Sequence, residues 1–320
     1  MMDEKYEKAS LSGMTSFLRS LSKDEFIRFK KQISNKIKNA QNQAKENECY
    51  YCGKKCSSFC NSHTVPAFSL RYIALNGKVF SSHRVTDMKL MDTVKGIKSS
   101  GTFQIICKQC DNTIFQEYEN PENYSNGLTT NMLAQIHLKN ILKQISKRKM
   151  EIQFYNNPLF WNMGQKRNDI NNMDLKELEE EFNYAKRKVN KNYTDDYQIV
   201  FHKKLNYVVP IAFQGALTLP IDLNGEIINN IYNENPKYKM KSIQIAILPM
   251  ESTSEVILFT EKGNMRYREF RKQLNQINSL EKQLSIINNL IFLYSEDYFI
   301  SPTFPVDLLN ELKPLAEVVR

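Results

Sequence analysis

Residues 49–52 read Cys-Tyr-Tyr-Cys, residues 107–112 read Cys-Lys-Gln-Cys-Asp-Asn, and Asn-Ser-His-Thr-Val-Pro at 61–66 lies between them. A Cys-x-x-Cys turn supplies two thiolates from one tight knuckle, and protein-bound zinc takes four ligands in a tetrahedron. Two such turns therefore predict one zinc site. Its predicted ligands are Cys49, Cys52, Cys107 and Cys110. Because four thiolates close the shell, this zinc would stabilise the fold and would not activate water.

Two more cysteines, Cys56 and Cys60, lie between the knuckles at a looser spacing. Buried free thiols are the usual state of such residues. The alternative that one of them replaces a predicted ligand stays open. The polar start of the chain at 1–5 does not resemble a secretory signal, so we expect a cytoplasmic protein whose cysteines bind metal and do not form disulfides.

The composition is that of a globular protein, with 41% hydrophobic and 25% charged residues in 320. This length predicts two or three domains. No apolar run approaches the roughly 18 residues that a membrane-spanning helix needs, so we expect no membrane partner.

The positive charge is concentrated in the first half of the chain. Residues 1–150 contain 24 lysines and arginines and 13 acidic residues, a net charge of +11, whereas residues 151–320 carry −2. Such an excess suits a polyanionic partner, because each neutralised phosphate releases counterions. A solvated basic surface without a partner is the alternative.

A basic helical segment is predicted at 1–46. Ser-Lys-Asp-Glu at 22–25 has the form of a capping box, and the apolar residues that follow recur at helical spacing, which predicts a helix over 23–46. Lys30 and Lys31 on its other faces could follow a phosphate backbone or could simply keep the helix soluble.

The second predicted domain is a zinc-binding unit at 47–150 with following helices. Its expected elements are a short helix at 68–74, a tight turn at Asn76-Gly77, a strand at 103–106 and two helices separated by 120–127. Residues 81–101 show no period and are expected to be an inserted loop or hairpin.

Residues 151–320 form the third predicted domain, an α+β unit with a small sheet and no readable role. A connection at 150–170 and a helix at 173–190 are expected first. The expected strands are 197–203, 206–213, 243–249 and 255–260, with a turn at 222–225, and the expected later helices are 265–292 and 304–318. Apolar residues at heptad-like steps in 265–292 could serve a homo-oligomer or a protein partner, although such a stripe is more often part of a core.

The cysteine knuckles, Ser62-His63-Thr64-Val65-Pro66 and the strand that leads into Cys107 resemble the zinc-containing, four-cysteine branch of the HNH, or His-Me finger, endonucleases. The resemblance covers about residues 47–120. It implies a zinc-stapled ββα-metal finger and hydrolysis of phosphodiester bonds, with DNA as the expected substrate and RNA as the alternative. It also implies a role in phage defence or restriction.

By this resemblance His63 is the general base, and a structural histidine hydrogen-bonded to a backbone carbonyl is the alternative. As oxygen donors for a hard cation, Asp111 and Asn112 complete the predicted catalytic set. A hydrolytic Mg²⁺ or Mn²⁺ would take Asp111 and Glu119 as ligands, with Glu117 as another carboxylate nearby. Arg71 and Lys108, together with the two helix lysines, are the predicted nucleic-acid contacts, and His83 could also contact phosphate. The alternative for Arg71, Lys108 and His83 is that each is an ordinary surface residue.

Two positions depart from the family pattern. Ser62 stands where relatives carry an acidic residue or a histidine, and Asp111 follows Cys110 where they carry histidine or asparagine. Serine is a poor metal ligand, and Asp111 could instead cap the helix after the knuckle. A non-catalytic, zinc-ribbon-like module that binds nucleic acid or protein is therefore the alternative function.

Overall fold

The structure, a computed structural model, describes residues 20–81, 94–156, 161–189, 191, 195–233, 235, 237–295 and 297–305. Its α-helices are α1 (Lys23–Gln43), α2 (Ala67–Ile73), α3 (Lys108–Ile114), α4 (Thr130–Tyr155), α5 (Trp161–Lys186), α6 (Arg268–Gln276) and α7 (Leu280–Tyr294). Its strands are β1 (Ser62–His63), β2 (Lys78–Ser81), β3 (Val94–Gly96), β4 (Thr102–Phe103), β5 (Tyr197–Leu205), β6 (Ile211–Leu217), β7 (Ile243–Pro249), β8 (Ser254–Glu261) and β9 (Phe299–Ile300).

Seven of these strands form one antiparallel sheet in the order β3-β2-β9-β6-β7-β8-β5. The α+β class is thus confirmed. The sheet is larger than the small one expected for residues 151–320, because β2 and β3 of the predicted zinc-binding unit join it through β9. Strands β1 and β4 pair separately.

Helices pack on both faces of the sheet, as strand β7 shows. All seven of its residues are buried, and successive side chains point to opposite faces. Ala246 and Leu248 enter a core shared with α4 and the cysteine-bearing segment. Ile245 and Ile247 enter a second core that contains residues of α6 and α7.

Helix α4 connects the predicted second and third domains. It continues through the expected boundary at 150. The larger core includes residues from both sides of that boundary, among them Phe68, Ile141 and Phe259. The two predicted units therefore share one hydrophobic core.

The basic helix is present as α1. Ser22 and Glu25 form both halves of the predicted capping box. The helix ends at Gln43, three residues before the expected end. Phe29, Ile33 and Ile37 pack with Phe154 of α4, and this packing joins α1 to the rest of the protein. Residues 1–19 of the predicted segment lie outside the described residues.

Two predicted turns are confirmed. At Asn76 and Gly77 the backbone has φ values of 52° and 69°, and Leu75 and Lys78 exchange both backbone hydrogen bonds. Positive φ at both central residues is the geometry that Asn-Gly favours. The Asp222–Gly225 turn is closed by a hydrogen bond from Gly225 N to Asp222 O of 3.2 Å.

Several expected bounds were wrong. The connection at 150–170 is mostly helical, because α4 extends to Tyr155 and α5 begins at Trp161. The strand at 103–106 is only Thr102–Phe103, and the strand at 206–213 is Ile211–Leu217. The helix at 265–292 is two helices, α6 and α7. The expected helix at 304–318 lies almost wholly outside the described residues. Within the described ranges, no helix combines the length and apolarity needed to cross a membrane.

Candidate metal centre

The four predicted cysteine ligands lie together. Their sulfur atoms are all within 4.8 Å of one another. Cys49 and Cys52 belong to a loop before β1, where Gly53 N donates to Cys49 O (2.8 Å) with a φ of +69° at Gly53. Cys107 caps α3 and Cys110 lies in its first turn. The cluster has the ligand set of a site for a metal such as zinc.

Backbone N–H groups are directed at the sulfur atoms. Cys107 N donates to Cys49 Sγ (3.3 Å) and Cys110 N donates to Cys107 Sγ (3.4 Å). Burial alone would raise the pKa of Cys49, but N–H groups, including those of Cys52 and Cys107, lower it to about 7. Burial and the adjacent sulfur atoms raise the pKa of Cys110. Four thiols this close favour the all-thiolate state only with a cation between them.

Cys56 and Cys60 are not part of the cluster. Cys56 Sγ contacts Lys54 O (3.2 Å), and Cys60 Sγ contacts Ile106 O (3.5 Å). Burial, followed by the negative charge of Asp111, raises the pKa of Cys60 to about 12. The cluster therefore consists of the four cysteines that were predicted as ligands, and neither Cys56 nor Cys60 replaces one of them.

The first knuckle is fixed against α5 by aromatic side chains. Tyr50 and Tyr51 pack edge-on against Phe182, with ring centroids 5.0 and 6.4 Å away. Lys186 donates to the carbonyl of Tyr51 and lies over its ring. The knuckle is therefore positioned by residues more than a hundred positions away in the chain.

His63, the predicted general base, is half-buried at the end of β1. Its Nε2 lies 3.0 Å from the carbonyl oxygen of Ile97. A carbonyl oxygen only accepts, so Nε2 carries the hydrogen and Nδ1 of the neutral ring has the lone pair.

Asp111, the predicted partner of His63, is engaged with different residues. Ser62 Oγ donates to Asp111 Oδ1 (2.6 Å), and Lys139 Nζ donates to the same oxygen (2.8 Å). Lys139 Nζ also lies 2.9 Å from Glu119 Oε1. Burial would raise the pKa of Asp111, but the charge and hydrogen bond of Lys139 and the hydrogen bond of Ser62 hold it below its usual value.

The structure thus brings together both carboxylates predicted to bind a hydrolytic ion, but it places the ammonium group of Lys139 between them. The Lys139 side chain is fully buried and its Nζ lies 3.8 Å from the centroid of the Phe115 ring. A cation already neutralises this pair, so Asp111 and Glu119 do not fit a divalent ion.

The other predicted catalytic residues are dispersed. Asn112 is exposed on α3. Glu117 accepts hydrogen bonds from Thr129 and Asn131 and so stabilises the start of α4. In the described part of the chain, neither His63 nor Asp111 belongs to a cluster able to hold a metal.

The predicted nucleic-acid contacts are mostly on the surface. Lys31, Arg71 and Lys108 are exposed, and Lys30 is half-buried. None of the three exposed residues pairs with a described carboxylate. A further histidine considered as a phosphate contact, His83, lies outside the described residues.

Lys139 is the residue of this region whose role sequence reasoning missed. It lies in the run Leu138-Lys139-Asn140, inside a helix whose residues 132–142 are all buried. The available signal was a lysine within an apolar helical pattern, since a buried lysine requires an anionic partner.

No family model, curated protein or solved structure matches this chain.

Proposed function

We propose that this protein binds nucleic acid through a zinc-stapled N-terminal half and that the Asp111 region supports its fold without hydrolysing the bound strand. The observation that carries the proposal is Lys139 between Asp111 and Glu119. A hydrolytic ion needs free carboxylate oxygens, and here both carboxylates already share a buried ammonium group.

Zinc is the metal that the donor set favours. Four thiolates are soft ligands, and two Cys-x-x-Cys turns are typical of structural zinc sites. Zinc bound by the four cysteines would hold the loop before β1 against the start of α3. It would also remove the repulsion among the four thiolates.

The net charge of +11 over residues 1–150, against −2 over residues 151–320, supports a polyanionic partner for the N-terminal half. Lys31, Arg71 and Lys108 have no carboxylate partner among the described residues. On the C-terminal half, five lysines are paired with carboxylates, while the exposed Lys203, Lys204 and Lys282 have no carboxylate partner among the described residues. These paired lysines are Lys188, Lys239, Lys241, Lys262 and Lys272. Unpaired cations are available to phosphates, whereas paired ones must first give up a partner.

Fluorescence anisotropy with a labelled DNA duplex and a labelled single strand tests binding. The dissociation constant is measured from about 50 to 200 mM salt, over which phosphate-dominated binding weakens steeply. Replacing Lys31, Arg71 and Lys108 together by glutamine should weaken binding. It should also reduce the salt slope by about 0.9 for each phosphate that is no longer neutralised. Absence of binding by the wild type at low salt would overturn the proposal.

The matched control replaces Lys239, Lys262 and Lys272 by glutamine. It makes the same change in net charge, but it removes lysines that already pair with carboxylates. The control should bind nearly as the wild type does. Equal weakening by both triple variants would show an effect of net charge alone and would contradict a defined surface.

A metal-dependent endonuclease is the second candidate function, and the orientation of His63 favours it. The Ile97 carbonyl selects the tautomer in which Nδ1 is the base, and such a nitrogen can deprotonate a water molecule. The hydrolytic ion would have to find ligands other than Asp111 and Glu119.

Cleavage assays separate the two functions. A plasmid is incubated with Mg²⁺ or Mn²⁺ and either the wild type or His63→Ala. Cleavage by the wild type that His63→Ala abolishes would establish the endonuclease and overturn the non-catalytic proposal. Salt-sensitive binding that His63→Ala leaves intact, without cleavage, is the result expected of a binding protein.

A further inference from the structure

A second group of residues with metal-ligand chemistry lies where α4, α5 and β8 meet. One ring nitrogen of His137 and one carboxylate oxygen each of Glu181 and Glu261 all lie within 4.8 Å of one another. These residues are 44 to 124 positions apart, so no sequence motif marks them. The cysteine cluster includes none of them.

We propose that His137, Glu181 and Glu261 form a second divalent-metal site, which takes Zn²⁺ or a similar transition-metal ion. One imidazole and two carboxylates are a ligand set for such ions, and three protein ligands leave a position for water or another small ligand. This proposal is independent of the function proposed for the zinc-stapled half.

The ring of His137 is held in an orientation that suits a ligand. His137 is fully buried, and Tyr197 Oη lies 3.0 Å from its Nδ1. Nε2 points to Glu181 Oε1 at 2.9 Å. Because a carboxylate oxygen only accepts, Nε2 carries the ring hydrogen in this structure. A metal at Nε2 would replace this hydrogen, and Nδ1–H would then donate to Tyr197 Oη, the outer-shell hydrogen bond that orients a histidine ligand.

Glu181 offers a carboxylate that solvent can reach. About 34% of its side chain is exposed, and its Oε1 accepts the hydrogen bond from His137 Nε2. Glu261 Oε2 lies 3.4 Å from Lys241 Nζ, and this lysine is half-exposed and could turn to solvent when a metal binds.

A cavity of about 250 Å³ gives access to the two glutamates from solvent. Its lining includes four glutamates and two lysines. The acidic residues are Glu177, Glu180, Glu181 and Glu261. Burial raises the pKa of Glu177. The charge of Lys239 opposes this rise, and the charges of three acidic neighbours, Asp174, Glu180 and Glu181, add to it. The excess of negative charge favours entry of a cation.

Cobalt binding to the full chain tests the site, because Co²⁺ reports on its ligands. Cobalt held by cysteine thiolates gives an intense sulfur-to-metal charge-transfer absorption, whereas a histidine and carboxylate site does not. The metal-depleted wild type should bind about two equivalents of Co²⁺, one with this absorption and one without it.

Glu181→Gln/Glu261→Gln should lose the equivalent that lacks the thiolate absorption. The matched control, Glu177→Gln/Glu180→Gln, changes the same charge in the same cavity and should retain it. Because Glu181→Gln also alters the hydrogen bond of His137, Glu261→Gln alone is measured too. This single variant should weaken the second equivalent by about 10-fold or more.

Far-ultraviolet circular dichroism and the thiolate absorption report whether each variant folds. A wild type that binds no cobalt beyond the thiolate equivalent would overturn the proposal and leave His137 as a hydrogen-bonded core residue. A second equivalent that survives Glu181→Gln/Glu261→Gln would also overturn it.

Discussion

Lys139 Nζ lies 2.8 Å from Asp111 Oδ1, deep in a helix interface where the lysine side chain is fully buried. This contact changes the interpretation of Asp111. A residue predicted to bind a catalytic ion instead joins α3 to α4 through an ion pair. Because Asp111 directly follows Cys110, the same ion pair also holds the second cysteine knuckle in place.

Replacing Lys139 by methionine should destabilise the protein by about 3 to 5 kcal/mol, because it leaves Asp111 and Glu119 facing each other without a cation. Urea unfolding measures the change. Lys98→Met, at an exposed lysine, should change the stability by no more than about 0.5 kcal/mol. A destabilisation below about 1 kcal/mol for Lys139→Met would contradict a buried ion pair.

Cysteine variants should separate ligands from free thiols. Cys49→Ser and Cys107→Ser should each lose about one equivalent of zinc and unfold at lower urea, because a structural metal contributes its binding energy to folding. Cys56→Ser and Cys60→Ser should retain the metal. Atomic absorption of the purified proteins gives the zinc content. Loss of zinc in Cys60→Ser would support the alternative in which Cys60 replaces one of the four predicted ligands.

Gly101 should tolerate alanine less well than Gly53, although both have positive φ values. A Cβ at Gly101 would overlap Phe299 Cζ and would lie 2.7 Å from Thr64 Oγ1, whereas no atom lies within 4 Å of a Cβ built at Gly53. Gly53→Ala should cost about 1 to 2 kcal/mol from backbone strain. Gly101→Ala should cost about 1 to 3 kcal/mol more from overpacking. Equal destabilisation of the two variants in thermal or urea unfolding would argue against this close packing.

Asp222 should stabilise the turn before residue 226 only while it is ionised. Its Oδ1 accepts from Asn224 N (2.8 Å) and Glu226 N (3.0 Å), and its Oδ2 accepts from Gln273 Nε2 (2.8 Å). Burial opposes these hydrogen bonds, but together they lower the pKa of Asp222 below 3.8. A lowered carboxyl pKa gives stability that is present above pH 3.8 and is lost as pH falls through the folded-state pKa.

Asp222→Asn should therefore be less stable than the wild type by about 1 kcal/mol at pH 7. The difference should shrink as the pH falls below 3.8. Urea unfolding of both proteins at several pH values measures it, with Glu226→Gln as the control, because the exposed Glu226 contributes its backbone N–H to the turn. A difference that does not change with pH would show that the charge of Asp222 has no part.

Sequence patterns identified the features that depend on neighbouring residues. The capping box at Ser22, the Asn76-Gly77 turn and the Asp222–Gly225 turn are formed by groups within four positions of each other. The spacing within each Cys-x-x-Cys knuckle is equally local. The α+β class follows from the same short-range periodicity.

The sequence could not show which distant side chains meet. Three such contacts join residues 28 to 220 positions apart. They are the pairing of β2 with β9, the ion pair of Lys139 with Asp111, and the cluster of His137, Glu181 and Glu261.

Residue order was enough to specify the local turns, the caps and the two cysteine knuckles, because backbone geometry brings residues a few positions apart into contact. The packed fold was needed to establish that His63 and Asp111 have separate partners and that α4 carries a buried lysine to two carboxylates. These pairings depend on how helices and sheet pack around a shared core, which short-range spacing does not encode.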